Sequence, residues 1–430
     1  MKKIISLLLP SLAATFSFAQ TPADHVIQVK EVERIERTLS ADDMEGRRVF
    51  TPGIEKAAAF IASEFKQTGL QTLNNSGTYL QSFSMVRPKF LGVNCSFDGA
   101  IVDSRNVIVF TCQPELIINE RSGYETVTVA TNDNIRSVVG KVLNGNKNYL
   151  VLVDTSFGHL FGNLTRMKSA LFKTDKNVVF VLTTQKPTAY TITAKHEITE
   201  MKLANVVGIL PGKSKPNEYV IFSGHYDHLG INTRNMVNND SIYNGANDDA
   251  AGTTAVMMLA KYFKALNNNE RTLIFAAFTA EEAGGFGATY FSKQFNPEEV
   301  KAMFNIEMIG TESKWGRNSA YITGYEKTDM GKILQGNLEG TGFNFYPDPY
   351  PDQQLFYRSD NATLARLGVP AHTISTSKMD SEPNYHKASD EIGTLDIDNM
   401  TMIIKAIALS SKGIVSGKET PSRVDTAGLK

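Results

Sequence analysis

Apolar residues along this chain follow two patterns, a helical spacing and unbroken runs, and beyond residue 200 the two alternate. Over residues 24–40, Val26, Val29, Val32 and Ile35 share one face at helical spacing. Over residues 53–68, Ala58, Ile61, Ala62 and Phe65 do the same, and Gly69 supplies a stop signal. The link between them, ADDMEGRRVFTPG, is polar and turn-rich, and its acidic Asp42, Asp43 and Glu45 read as a solvated turn. From 85 to 200, short apolar runs (VIVF, YLVLVD, VVFVLT) sit among Asn, Gly, Thr and Lys loops, which predicts an inserted β-rich domain. Its lone His159 and His196 read as surface residues.

After LANVVGILPGK the pattern predicts strands at 203–210, 218–225, 271–279, 302–308, 319–323 and 370–376. Helices are expected at 250–266, 285–294, 326–339, 361–367 and 396–412. Strands that are apolar throughout and alternate with helices predict an α/β fold, a mostly parallel central sheet covered by helices on both faces. The expected layout is a signal peptide at 1–19, a catalytic domain at 20–84 and 201–414, the insert at 85–200 and a polar, frayed tail at 415–430. GILPGKS has three residues between its glycines where a phosphate loop needs four, so that motif is rejected.

The leader reading rests on Lys2 and Lys3, the apolar run Ile4 to Phe18, and Ser17-Phe18-Ala19 before Gln20. Pro10 and the shortness of the run argue against a stable membrane anchor. The expected location is secreted or periplasmic, and cleavage would move the net charge from −1 to −3. Near-neutral charge leaves no field for holding nucleic acid. Nothing in the sequence indicates partner proteins. Cys95 and Cys112 lie in one short β-like segment; pairing would stabilise by about 3 kcal/mol, and two buried thiols are the equal alternative. With no CxxC, a thiolate zinc site is ruled out.

The chemistry collects at strand ends, where ligands bind in covered sheets of this type. His225 ends one predicted strand in EYVIFSGHYDHLG, Glu281-Glu282 follow RTLIFAAFTA, and Glu307 lies in FNIEMIG. Asp248-Asp249 open a helix in NGANDDAAG, and His386 lies in NYHKASD. Each piece alone has a plain structural reading: a polar network, a helix cap, a solvated charge pair. Together His225, Asp248, Glu282, Glu307 and His386 offer two imidazoles and three carboxylates, a set suited to zinc. Five ligands exceed one catalytic zinc and fit a pair of ions ~3.5–4 Å apart sharing a carboxylate.

Those motifs, GHYDHLG, GANDDAAG, TAEEAG, NIEMIG and YHKASD, resemble in sequence and order the M28 family of co-catalytic zinc peptidases, which includes bacterial aminopeptidases. The resemblance runs from about 203 to the end, and the N-terminal helices and the position of a protease-associated-like insert are similar too. It implies one zinc bound by His225, Asp248 and Glu307 and a second by Asp248, Glu282 and His386. Glu307 stands where the family usually has Asp, which makes the first ion the less secure. Glu281 falls on the family's general base, and Asp227 is placed to hold the second nitrogen of His225. The Asp248–Asp249 peptide bond is expected to be cis.

For the oxyanion donor, Tyr385 is the first choice and Tyr357 the alternative. Arg358, Ser359 and Asp360 match a segment bordering the family's cleft. Asn361 stands where many relatives have His. His228 reads as a structural neighbour and His372 as core. The implied activity is exported hydrolysis of peptide substrates, aminopeptidase action first. Carboxypeptidase or dipeptidase action of the same family, a single-zinc glutaminyl-peptide cyclotransferase and a non-catalytic binding protein are the alternatives.

Overall fold

A computed structural model of the chain describes residues 22–168 and 170–429; the predicted signal peptide lies outside the described residues. Two compact units emerge, Gln81–Asn205 and the remainder.

The larger unit is built on a sheet whose central strands are buried. In chain order these are β1 (Tyr190–Leu210), of which residues 206–210 belong here, β2 (Lys215–His225), β5 (Arg271–Phe278), β6 (Val300–Ile306), β7 (Ser319–Ile322), β8 (Asn344–Pro347) and β9 (Ala371–Ser375). A small hairpin, β3 (Gly230–Ile231) and β4 (Ile242–Tyr243), stands apart. The order across the sheet is β8-β7-β9-β6-β2-β5-β1. β2 pairs in parallel with both β5 and β6, and β6 in parallel with β9. β1 on β5 and β7 on β9 are antiparallel.

Because side chains alternate across a strand, the unbroken apolar runs feed two cores. Val220, Phe222, Phe275 and Phe304 face one core with helices α1 (Val29–Leu39), α2 (Pro52–Thr68), α3 (Ala251–Leu266), α5 (Met330–Gly336) and α7 (Ile397–Ser410). Ile221, Ile274, Ala276 and Met303 face the other with α4 (Phe286–Ser292) and α6 (Asn361–Ala365). Phe222 stacks on Phe304 at 4.9 Å and Phe263 at 5.3 Å at the centre of the first core. The parallel strands therefore end together at one edge. None of the described helices is long and apolar enough to cross a membrane.

Two expectations change in this unit. The helix predicted over 24–40 is split into Pro22–Val26 and α1. The tail does not fray: Arg271 donates to the carbonyls of Ile414 and Glu419 and to the Thr420 hydroxyl, and Val424 is buried. A buried guanidinium needs acceptors, and the tail backbone supplies them.

The unit Gln81–Asn205 holds a four-stranded sheet in the order Val107–Phe110, Val178–Leu182, Tyr149–Val153, Glu125–Val129, with the last three parallel. It also holds the helix Ile135–Leu143, unforeseen from sequence, capped by Asn134 accepting from the Ser137 amide. Cys95 and Cys112 are free thiols here, and burial pushes the Cys95 thiol up to about 11. His196 is not a surface residue: it is buried beside the Lys168 ammonium (3.5 Å) and the Phe90 ring.

One buried acid gives the larger unit a pH dependence. Burial holds Glu36 of α1 up to about 8, opposed by its Thr254 bond and the Arg47 charge. The folded chain thus keeps a proton that the unfolded chain releases near pH 4.5, so stability falls as pH rises from about 4.5 through about 8. Glu36→Gln should flatten that fall. Melting temperatures from pH 5 to 9 check this, and an unchanged slope would refute it.

Candidate metal centre

The shared strand edge delivers side chains from distant sequence to one place. His225 is the last residue of β2, Glu307 follows β6, and Glu281-Glu282 follow β5 after a short turn. Asp248 lies in the segment Ala246–Ala250 that opens α3, and His386 in the loop between β9 and α7. His225 Nε2 lies 3.3 Å from Asp248 Oδ1, and His386 Nε2 lies 3.2 Å from Asp248 Oδ2 and 3.1 Å from Glu282 Oε1. One ligand atom each from His225, Asp248 and Glu307 falls within a 4.8 Å set. All five residues singled out from sequence meet, and Asp248 turns one oxygen to each imidazole.

A sixth residue joins them. His228 Nδ1 is 3.0 Å from Glu282 Oε1, and His228, Asp248 and Glu282 form a second 4.8 Å set. Set aside in the sequence reading, His228 stands as near Glu282 as His386 does. The second His in HYDH was the visible signal.

Among the described residues, several buried atoms here have no well-aligned hydrogen-bond partner: His225 Nε2, both ring nitrogens of His228, Asp248 Oδ2, Glu282 Oε1 and Glu307 Oε2. Orphaned donors and acceptors facing one another, from N and O side chains, fit a borderline divalent cation. Burial opposes protonation of His386, but the Asp248 and Glu282 carboxylates outweigh it and raise it to about 10. His225 is likewise raised, against burial, by Asp248, Asp249 and Glu281. Burial, with the charges of Glu307, Asp360 and Glu282, raises Glu281 despite His225. These protons are what a divalent cation displaces.

Three acids that are not candidate ligands act as staples. Asp249 accepts from the backbone amides of His225, Gly252 and Met308. The peptide bond before it is cis. A Cβ at Gly252 would meet Asp249 Oδ2 at 2.4 Å and the Ile306 carbonyl at 2.0 Å, so only glycine fits there. Asp390 accepts from the amides of Asn247 and Asp248. Asp227 departs from expectation: His225 Nδ1 meets its backbone carbonyl at 3.1 Å, while its carboxylate is 3.9 Å away. That carboxylate accepts instead from the Glu281 amide, because the turn after β5 lies within its reach.

Arg47, unremarked in the turn-rich link, is fully buried and donates to the carbonyls of Tyr226, Leu39, Asn244 and Gly245. It clamps both chain segments that carry His225 and Asp248.

Tyr385 stacks on His386 at 3.9 Å and, with Glu307, Arg358 and Ser359, lines a narrow cavity of about 40 Å³. Ser359 bonds Glu307. Asp360 is buried with both oxygens unpartnered, and burial raises it to about 8. Tyr357 is not among the cavity walls; its ring lies against Phe356 and under the Lys327 and Arg366 cations. The 3₁₀ turn Leu355–Tyr357 sets that direction. Asn361 is structural, bonding the carbonyls of Phe356 and Ala371, and His372 sits in the core between Thr328 and Thr323.

Arg47→Lys keeps the charge but not the fork, so it should destabilise the fold by about 2–4 kcal/mol and weaken metal retention. Thermal melts and metal content after dialysis test this; wild-type values for both would remove the clamp role.

Comparisons with known proteins bear on this geometry. Residues 205–410 match the model of peptidase family M28. A probable leucine aminopeptidase of Trichophyton verrucosum (strain HKI 0517) is 30% identical over 206 residues, covering 46% of this chain and 53% of that protein. A probable zinc metalloprotease of Pyricularia oryzae is 31% identical over 115 residues, 26% of this chain and 22% of that protein. The chain thus spans about half, or less, of the length of these curated relatives. Among solved structures, an aminopeptidase from Aneurinibacillus sp. strain AM-1 matches at TM-score 0.54 and 16% identity over 95% of this chain and 98% of its own. BSAP, a zinc aminopeptidase from Bacillus subtilis, matches at TM-score 0.54 and 16% identity over 94% and 97%. These two likenesses show the fold. With the family model matched over the stretch that holds the converging side chains, the chain carries a peptidase family M28 domain at residues 205–410.

Proposed function

We propose that this chain is an exported zinc peptidase with two ions at the centre, acting as an aminopeptidase. The observation that carries this is the meeting of His225, Asp248, Glu282, Glu307 and His386, with Asp248 facing both sides. His225, Asp248 and Glu307 would hold one ion, and Asp248, Glu282 and His386 the other, with His228 a further imidazole on the Glu282 side. Zinc bound there supplies a Lewis acid and an acidified water. Relatives named leucine aminopeptidase and zinc metalloprotease support the class. The leader read over residues 1–19 supports export.

Glu281, buried among carboxylates, has a strong affinity for a proton. It takes the proton of the attacking water and passes it to the leaving amine. Asp227 fixes the Glu281 backbone, and the Tyr385 hydroxyl donates to the developing oxyanion. The peptide substrate enters from the cavities on either side of the pair.

Glu281→Gln should lower kcat by ~10²–10⁴ while leaving zinc content unchanged, since Glu281 is not a ligand. Steady-state rates on aminoacyl anilides with metal analysis check this, and undiminished turnover would remove Glu281 as base. Zinc binding at pH 7 should release protons, because His386 is raised to about 10 and must bind as neutral imidazole. Affinity then rises with pH toward about 10. Calorimetry in two buffers of different ionisation enthalpy reads the release, and identical heats would contradict it.

A further inference from the structure

The centre opens on two unlike cavities. The one beside Glu307 and Tyr385 is narrow, about 40 Å³. The other, about 620 Å³, is bordered by Asp227, His228 and Glu282 at the centre and by Arg48 and Arg234 on its walls. We propose that this larger cavity receives the leaving-group residue of the substrate and that Arg48 and Arg234 hold its terminal carboxylate. The enzyme is then selective for dipeptides. The proposal rests on the peptidase reading above.

Both arginines stand on braced backbone. A Cβ at Gly46 (φ +63°) would meet the Tyr243 carbonyl at 2.5 Å and the Gly230 carbonyl at 2.8 Å, so the segment before Arg48 lies directly on the β3–β4 hairpin. The Arg48 stem covers Gly230, where an added Cβ would meet its Cβ at 2.6 Å. In the hairpin loop, the Tyr243 hydroxyl donates to the Asn235 carbonyl at 2.8 Å, the Asn232 amide to the Ser241 carbonyl, and the Arg234 amide to Asn232 Oδ1. Among the described residues neither guanidinium has an ion-pair or hydrogen-bond partner, although most other arginines of this unit do.

The charge layout sets the direction. His228 and Glu282 place the candidate centre at this cavity, and Arg48 and Arg234 are the cationic side chains that line it. A carboxylate is attracted to the two guanidiniums. In hydrolysis beside a free amino terminus, only the leaving side of the substrate ends in a carboxylate. Leu229 and Ile231, which line the same cavity, suit an aliphatic side chain on that residue. Each added residue carries the terminal carboxylate ~3.5 Å farther out, so longer peptides lose the contact.

The test compares kcat/KM of the zinc-loaded full chain for Leu-Leu, Leu-Leu-amide, Leu-Glu-amide and Leu-Leu-Leu, with leucine anilide as reference. Wild type should favour Leu-Leu over its amide and over the tripeptide by about tenfold. In Arg48→Ala/Arg234→Ala the acid-to-amide ratio should fall to near one. Added salt should erode the wild-type ratio, a reading that needs no variant. Equal rates on acid and amide in wild type, with the anilide cleaved, overturn the subsite alone. A ratio unchanged in the double variant does the same. If Leu-Glu-amide outruns Leu-Leu-amide while the acid shows no advantage, a side-chain carboxylate is the ligand and the terminal one is not. Absence of cleavage of every one of these substrates overturns the peptidase reading and this subsite with it.

Discussion

Carboxyl groups and imidazoles crowd the carboxyl edge of the parallel strands of one sheet, and buried like charges at these distances repel unless donors hold them and a cation sits among them. Backbone amides supply the donors. Asp249 gathers amides from β2, from the start of α3 and from the residue after Glu307, so one carboxylate ties three of the segments that form the site. Asp390 performs the same service for Asp248 from the far end of the domain, and Asp227 for Glu281. Asp249, Asp390 and Asp227 thus spend oxygens on backbone, while Asp248, Glu282 and Glu307 each keep an unpartnered oxygen.

Arg47 adds the complementary charge. Among the described residues it has no carboxylate partner of its own; it gives its hydrogens to four carbonyls and its field to the acids around it. A turn between the two N-terminal helices therefore belongs to the centre as much as the strands do. The next residue, Arg48, points the other way, into the larger cavity. Adjacent arginines on one turn thus serve the scaffold and the open face respectively.

The sheet makes this precision possible because it leaves the strand ends little freedom. β2 is flanked in parallel by β5 and β6, and its alternate residues are locked into two separate cores. Gly252 lets the first turn of α3 approach the end of β6 closely enough for Asp249 to reach across. Packing of this kind is what holds candidate ligand atoms from three strand ends and two loops within a few ångströms.

Much was legible in the sequence because its signals are local. Apolar runs and helical spacings mark the strands and helices of the larger unit, and charged residues at the ends of apolar runs mark His225, Glu282 and Glu307. Asp248 and His386 followed from short motifs. What the tertiary structure alone decided concerns partners, not residue types. His225 Nδ1 meets the Asp227 backbone at 3.1 Å while the carboxylate stays 3.9 Å away, a difference set by where the turn after β5 lands. His228 reaches Glu282, Tyr357 turns away from the cavity, Arg271 gathers in the tail, and Arg47 closes over the loops, each through contacts between segments far apart in the chain. Periodicity reports which face of an element is buried; it carries no information about which distant loop will offer the nearest acceptor, and only the assembled fold chooses that.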